Sequence, residues 1–335
     1  MPIHALVDSH PRAGWQAALR SAIRNADELF DYLELDSEQI AMLEPAVSEF
    51  PLLVPRGFAA RMRKRDAFDP LLRQVLPVAR EHDRVDGFGH DPLGEAGVSR
   101  GGLVRKYSGR VLLVTTAACP VHCRYCFRRH FPYASQTASR DGWDGALAEI
   151  EAATDVSEVI LSGGDPLSLS NDRLRELVTR IEMIDHVVTL RVHSRFPIVV
   201  PERVDDGLLE LLAATRLSTV VVVHCNHAQE IDNAVADALE RLRQAPVTLL
   251  NQSVLLRGVN DEAATLCALS RRLFAVGVLP YYLHALDPVA GAAHFDVPPA
   301  RAEALIEAVR SELPGYLVPR LVREVPGRAS KTPLA

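Results

Sequence analysis

From Arg110 onward, short β-branched runs alternate with stretches of helical periodicity, and this alternation limits the fold more than any other feature of the chain. The runs are 111–116, 158–161, 187–192, 219–223, 247–250 and 278–283. Between them lie helical faces such as Leu174, Leu177, Val178, Ile181 and Ile184, and after the last run Leu305, Ile306, Val309 and Leu313. Buried β-branched strands joined through helices imply parallel strands with right-handed crossovers. Six such units predict a partial (β/α)6, TIM-like barrel, with a doubly wound open sheet as the rival. In a barrel the chemistry gathers where the strands end. Residues 1–100, with helical spacing at Trp15, Leu19 and Ile23 and then breakers at Pro55, Gly57, Pro70 and Pro77, read as a helical N-terminal region. The barrel core is assigned to 101–313 and a short C-terminal segment to 314–335.

The strand ends carry unusual residues. Cys119-Pro-Val-His-Cys123-Arg-Tyr-Cys126 directly follows the first run, so three of the five cysteines fall within eight residues. Thiolates this close together suit a metal or an iron–sulfur cluster. A zinc site would need a fourth ligand, for which His122 and His130 are at hand. The second run ends in Ser162-Gly163-Gly164-Asp165, where two glycines let backbone approach a ligand and the carboxylate can accept from an ammonium or cap a helix. Cys225 and Cys267 stand alone and read as small buried hydrophobes. The formal charge of −6 and the lack of a basic stripe argue against nucleic-acid binding. No apolar run could span a membrane, and the N-terminus lacks a signal-peptide pattern, so a reduced, cytoplasmic protein is expected.

Only Lys64, Lys106 and Lys331 are lysines among the 37 basic residues. Lys64 sits in the basic run Arg61-Met-Arg-Lys-Arg65 and reads as a surface charge. Any chemistry that needs a lysine therefore has few candidates.

The cysteine spacing, followed one βα unit later by the Gly-rich strand end, resembles the radical S-adenosylmethionine (SAM) superfamily. The resemblance implies a [4Fe–4S] cluster on Cys119, Cys123 and Cys126, with SAM on its open iron and against Ser162, Gly163, Gly164 and Asp165. A narrower resemblance runs from about Phe50 to Pro333. Asp69-Pro-Leu-Leu-Arg-Gln-Val-Leu-Pro77, Cys126-Phe-Arg128-Arg129-His130, Asn251-Gln-Ser-Val-Leu-Leu-Arg-Gly-Val-Asn260-Asp and Lys331-Thr-Pro are similar to the lysine 2,3-aminomutase family. That family adds pyridoxal 5′-phosphate (PLP). The resemblance implies Lys331 as the Schiff-base lysine and Lys106, Tyr107 and Arg110 as phosphate anchors. It implies Arg128 for the substrate carboxylate, and Asp287 and Glu324 for its distal ammonium. His193 and Arg195 would help with SAM or PLP, whereas His224, Asn226 and His227 receive no role.

The implied reaction turns L-lysine into β-lysine through a 5′-deoxyadenosyl radical and a PLP aldimine, with a one-electron reductant as partner. Glu324 stands where the family has a shorter aspartate, and Lys106 where it has an arginine. The chain ends four residues after Lys331, like short members resembling the enzyme that supplies β-lysine for elongation factor P and its ligating enzyme. A homo-oligomer is compatible with this reading. The rivals are an aminomutase for another amino acid such as glutamate, and a non-enzymatic zinc or iron–sulfur module that binds a partner.

Overall fold

The computed structural model describes residues 14–137 and 143–335. The first residues of the N-terminal region thus lie outside the described part. The alternation becomes one ten-stranded sheet whose spatial order follows chain order. An antiparallel meander opens it with β1 (Ser99–Arg100), β2 (Leu103–Tyr107) and β3 (Arg110–Thr116). Parallel pairing then runs from β3 through β4 (Glu158–Gly163), β5 (Thr189–Ser194), β6 (Ser218–His224), β7 (Val247–Val254), β8 (Leu279–His284) and β9 (Arg320–Arg323). A two-residue antiparallel strand, β10 (Thr332–Pro333), closes the order. Six of these strands match the predicted runs, and the sheet is a partial barrel that does not close. β9 was not expected: it extends the parallel sheet from within the assigned C-terminal segment.

The period-2 pattern decides which way each strand faces. In β5, Leu190, Val192 and Ser194 are buried while Thr189, Arg191 and His193 are half-buried on the other face. The apolar face packs on helices such as Asn171–Glu182, which buries Leu174, Leu177, Val178 and Ile181. Helix starts are set by capping side chains: Ser170, Asp205 and Asp232 accept from the backbone N–H of Arg173, Leu208 and Val235 at 3.3, 2.8 and 2.9 Å. Cys225 and Cys267 are buried, as read from sequence. Among the described residues no helix is long and apolar enough to cross a membrane.

The N-terminal region grips the loop after β3. Arg124 is fully buried, its Nε donating to Glu81 Oε1 at 2.7 Å and its Nη1 and Nη2 to Phe50 O and Ser48 Oγ at 2.7 and 2.8 Å. Arg129 shares Glu81 at 2.6 Å. The loop backbone is stitched to the same layer by His122 N to Leu53 O at 3.1 Å and Arg124 N to Gln74 O at 2.9 Å. Buried pairs of this kind do little for net stability but are costly to break, so they hold a loop in one position.

Candidate active site

Most of the residues singled out above follow the C-terminal ends of the parallel strands, whereas Lys106, Tyr107 and Arg110 lie on the β2–β3 hairpin at the start of β3. Cys119, Cys123 and Cys126 lie on the loop after β3, unbonded to one another. Burial pushes the Cys119 thiol up, reinforced by Cys126, Asp165 and Cys123, and takes Cys126 up to about 11 with Cys123 adding to it. The three sulfurs therefore lie within electrostatic reach of each other. No three His, Cys, Asp or Glu side chains among the described residues are gathered tightly enough for a single metal ion. A four-iron cube is larger and holds its cysteines farther apart.

The two glycines of β4 are explained by the backbone beside them. A Cβ on Gly164 would lie 2.4 Å from Ala118 O, and Gly163 has φ +122° with its Cβ site 2.6 Å from Thr116 O. They let the strand end close on the cysteine loop through Gly164 N to Thr116 O at 2.7 Å and Asp165 N to Ala118 O at 2.8 Å. Because only backbone could yield, Gly164→Ala is expected to cost about 1–3 kcal/mol. It should also lower iron content after anaerobic reconstitution. Unchanged urea stability and full iron loading would refute this seat for the loop.

Asp165 is engaged internally. Its carboxylate accepts from Ser194 Oγ at 2.8 Å, Arg195 N at 2.7 Å and Leu167 N at 3.0 Å. Burial lifts its pKa to about 6 against those bonds. Any ligand at this turn would meet backbone and Ser162 rather than a free Asp165 carboxylate. Arg195 points into the wall behind the cysteines: Nη1 reaches Cys123 Sγ at 2.6 Å and Tyr125 Oη at 2.7 Å, and Nη2 reaches Gln74 Oε1 at 2.7 Å and Glu230 Oε2 at 3.2 Å. Tyr125 in turn meets His224 Nε2 at 2.8 Å and Asn226 Nδ2 at 2.7 Å.

On the opposite side of the mouth the charged residues form a continuous ladder. Arg128 Nε and Nη2 fork onto Glu95 at 2.6 and 3.1 Å, and its Nη1 donates to Ser162 Oγ at 3.0 Å. Glu95 also takes Lys106 Nζ at 2.9 Å; Lys106 reaches Glu324 at 3.1 Å; and Glu324 takes Lys331 Nζ at 2.5 Å. Burial opposes ionisation of Glu324, but Lys331 and Lys106 outweigh it and hold its pKa near 2. Tyr107 is pushed upward by burial and by Glu324, and Arg110 stacks over the Tyr107 ring at 4.6 Å. Lys331 Nζ lies 5.8 Å from the Tyr282 ring centroid. Asp287 Oδ1 and His193 Nε2 are buried without a hydrogen-bond partner among the described residues. Burial and the nearby Glu324 raise Asp287 to about 7 despite Lys331 and Lys106. Burial, with Arg191 and Lys331 close by, depresses His193.

So the structure unites Lys331, Lys106, Tyr107, Arg110, Glu324, Asp287, Arg128 and His193 around one mouth, and puts Arg195 with the cysteines. Sequence reasoning missed Glu95, Gln74, Tyr125, Glu230 and Tyr133, whose hydroxyl donates to Gly163 O at 2.9 Å. Nothing local marked Glu95, which lies in a stretch with several other carboxylates.

Residues 113–268 match the radical SAM superfamily. Over nearly the whole chain the likeness is narrower. An L-lysine 2,3-aminomutase of Escherichia coli is 46% identical over 96% of this chain and 95% of its own length. One of Haemophilus influenzae is 43% identical over 95% and 94%, and one of Clostridium subterminale 33% identical over 96% and 77%. The chain belongs to the lysine 2,3-aminomutase family. It is thus a radical SAM isomerase, and the cofactors of such enzymes are a [4Fe–4S] cluster, SAM and PLP.

The residues present fit these groups. Three neighbouring thiols on a glycine-seated loop suit the ligation of an iron–sulfur cluster. Two orphaned buried polar atoms, Asp287 Oδ1 and His193 Nε2, beside a part-buried lysine provide a cradle with capacity left for a ligand.

Proposed function

We propose that this enzyme converts L-lysine to β-lysine. The reading is supported by relatives named for that reaction and carried by one observation: a buried Asp287 oxygen without a partner beside Glu324, opposite the Lys331 amine. Two neighbouring carboxylates suit a ligand with a distal ammonium. They would repel the side chain of glutamate.

When bound, the cluster and SAM supply a carbon-centred radical, and PLP carries the amino group while it moves between adjacent carbons. The protein positions and shields. Lys331 is the lysine that would bond PLP, and Lys106, Tyr107 and Arg110, on the β2–β3 hairpin, would hold its phosphate. Arg128, fixed by Glu95 and Ser162, has N–H capacity left for the substrate carboxylate. Glu324 pairs with two lysine ammonium groups, and bonding of Lys331 to PLP would free its Oε2 for a substrate ammonium. Ser162 and the Gly163–Gly164 backbone, next to the cysteines, would meet SAM. His193 is placed to donate to or accept from a ligand on the PLP side, and Arg195 acts at the Cys123 wall.

Anaerobic incubation with L-lysine, SAM, PLP and a one-electron reductant should yield β-lysine. Product from glutamate instead, or none from lysine with a fully loaded enzyme, would overturn the assignment. We also propose a cytoplasmic role in supplying β-lysine to elongation factor P and its ligating enzyme, in keeping with the likeness to relatives matched over nearly their whole length. Adding both proteins should channel the product onto the factor.

Asp287 makes the pH dependence specific. Held near 7 in the ligand-free site, it is neutral at lower pH and cannot pair with an ammonium. The substrate's own ammonium stays charged up to about pH 10. The lysine KM should therefore fall as pH rises toward 7, by up to about tenfold per unit, and level off above it. Asp287→Asn should remove this inflection while raising KM at neutral pH. A KM that is flat across pH 6–8 in the parent enzyme would contradict the pairing.

A further inference from the structure

Glu95 is the one ladder member without an assigned task. We infer that Glu95 is a positioning residue that sets the orientation of Arg128 and Lys106, the two cations read above as holding the substrate carboxylate and the cofactor phosphate; the inference rests on that reading.

The geometry is unusually complete. Glu95 is 3% exposed, and its two oxygens serve two cations at once. Oε2 takes Arg128 Nε at 2.6 Å, while Oε1 is shared between Arg128 Nη2 at 3.1 Å and Lys106 Nζ at 2.9 Å. A fork on the Nε–Nη2 edge fixes the guanidinium plane, with Nη1 donating to Ser162 Oγ at 3.0 Å and Gly163 O at 3.4 Å and the second N–H of Nη2 left over. The shared Oε1 fixes how far the Lys106 ammonium stands from that plane. Arg128 and Lys106 lie on different elements, the cysteine loop and β2, so Glu95 is the group that sets their spacing. Its own position is held from behind. Asp91 accepts from the backbone N–H of Glu95 at 2.9 Å and of Ala96 at 3.1 Å. Farther back, Gly89 exchanges backbone bonds with Pro288 and Ala290 at 2.9 and 2.8 Å, directly beside Asp287. Burial opposes the Glu95 charge, yet Arg128 and Lys106 keep it ionised.

Charge and position make opposite demands, which makes the inference testable. Removing a negative charge next to two anion-holding cations should, by field alone, strengthen binding of a carboxylate or a phosphate. Losing orientation should instead slow the step that needs aligned groups, where displacement by about 1 Å can cost on the order of a hundredfold. Glu95→Gln keeps the shape and removes the charge. Glu95→Asp keeps the charge but is too short to serve both cations.

Both variants, fully loaded with cluster and PLP, are expected to lose at least about tenfold in kcat, with the lysine KM changed less than about threefold. The visible circular dichroism that lysine induces in bound PLP, a report of cofactor orientation independent of turnover, should fall in both. Wild-type kcat and dichroism in Glu95→Gln would overturn the inference. So would a Glu95→Asp enzyme that behaves as the parent, since charge alone would then suffice. If Glu95→Gln does not fold, Glu95→Asp decides by the same two readouts. Arg128→Gln and Lys106→Gln run alongside: if they leave lysine and PLP binding unchanged, the reading of those cations fails, whereas their loss of binding with intact Glu95 variants removes only the role of Glu95.

Discussion

Lys331→Ala should abolish the borohydride-trappable bond between PLP and the protein and reduce β-lysine formation by on the order of 10³-fold, about 4 kcal/mol in activation free energy. The chain makes this test unusually clean, because Lys64 and Lys106 are the other lysines it contains. Lys64 is half-exposed and paired with Glu34 on the outer surface. Lys106 is held between two carboxylates, Glu95 and Glu324, which favours a fixed ammonium rather than a nucleophile. Lys331 has one carboxylate partner and an aromatic face beside it, and lies at the mouth where Asp287 and His193 have unused capacity. Peptide mapping after reduction should find the modification on Lys331 in the parent enzyme. A trapped adduct at Lys64 or Lys106, or full turnover in the variant, would reverse the assignment.

Each of Cys119→Ala, Cys123→Ala and Cys126→Ala is expected to lose the cluster and with it all SAM cleavage. Three thiolates bind a four-iron cube with one iron left for SAM, so deleting one leaves too few protein ligands to retain it. The buried thiols must also surrender their protons on binding, so cluster assembly and ionisation are one event. Iron per chain and the SAM-dependent change in the cluster's electron paramagnetic resonance read the outcome directly. Cys225→Ala and Cys267→Ala serve as controls, since both residues are buried, Cys225 with its thiol donating to His227 O at 3.4 Å, and should cost about 1 kcal/mol of stability with iron unchanged. A stoichiometric, SAM-responsive cluster in Cys123→Ala would show that the centre has another ligand set.

The parts of the fold carried by local periodicity were legible. The six strands of the partial barrel follow from β-branched runs, and the helical faces follow from spacing, because both patterns are written within ten or twenty residues. The cysteine loop stood out by its spacing, whereas Lys331 was singled out by the family resemblance and by the scarcity of lysines in this chain. Other parts depend on pairing across large sequence separations. β9 is four residues long, half of them arginine, and becomes a strand by joining β8 after a long helix. Glu95 sits in a stretch already rich in acidic residues, and only the approach of Arg128 and Lys106 distinguishes it. Glycines 163 and 164 were read as making room for a ligand. The structure shows them first making room for the Thr116–Ala118 backbone, a neighbour no spacing rule names.

The unclosed sheet has a consequence for how firmly the molecule holds together. Its two margins, the β1–β2 pair with Lys106 and the β9–β10 pair with Glu324 and Lys331 beside it, meet through the Lys106–Glu324 ion pair rather than a strand ladder. β10 is only two residues long, one of them proline, so the Thr332 amide should exchange with deuterium well before those of β4 or β6. A cofactor anchored by its phosphate on one margin and bonded to Lys331 on the other would rivet that seam shut. Cofactor loading should then slow exchange at Thr332 and Leu334 and, by mass action, raise the melting temperature, so that catalytic competence and mechanical closure arrive together.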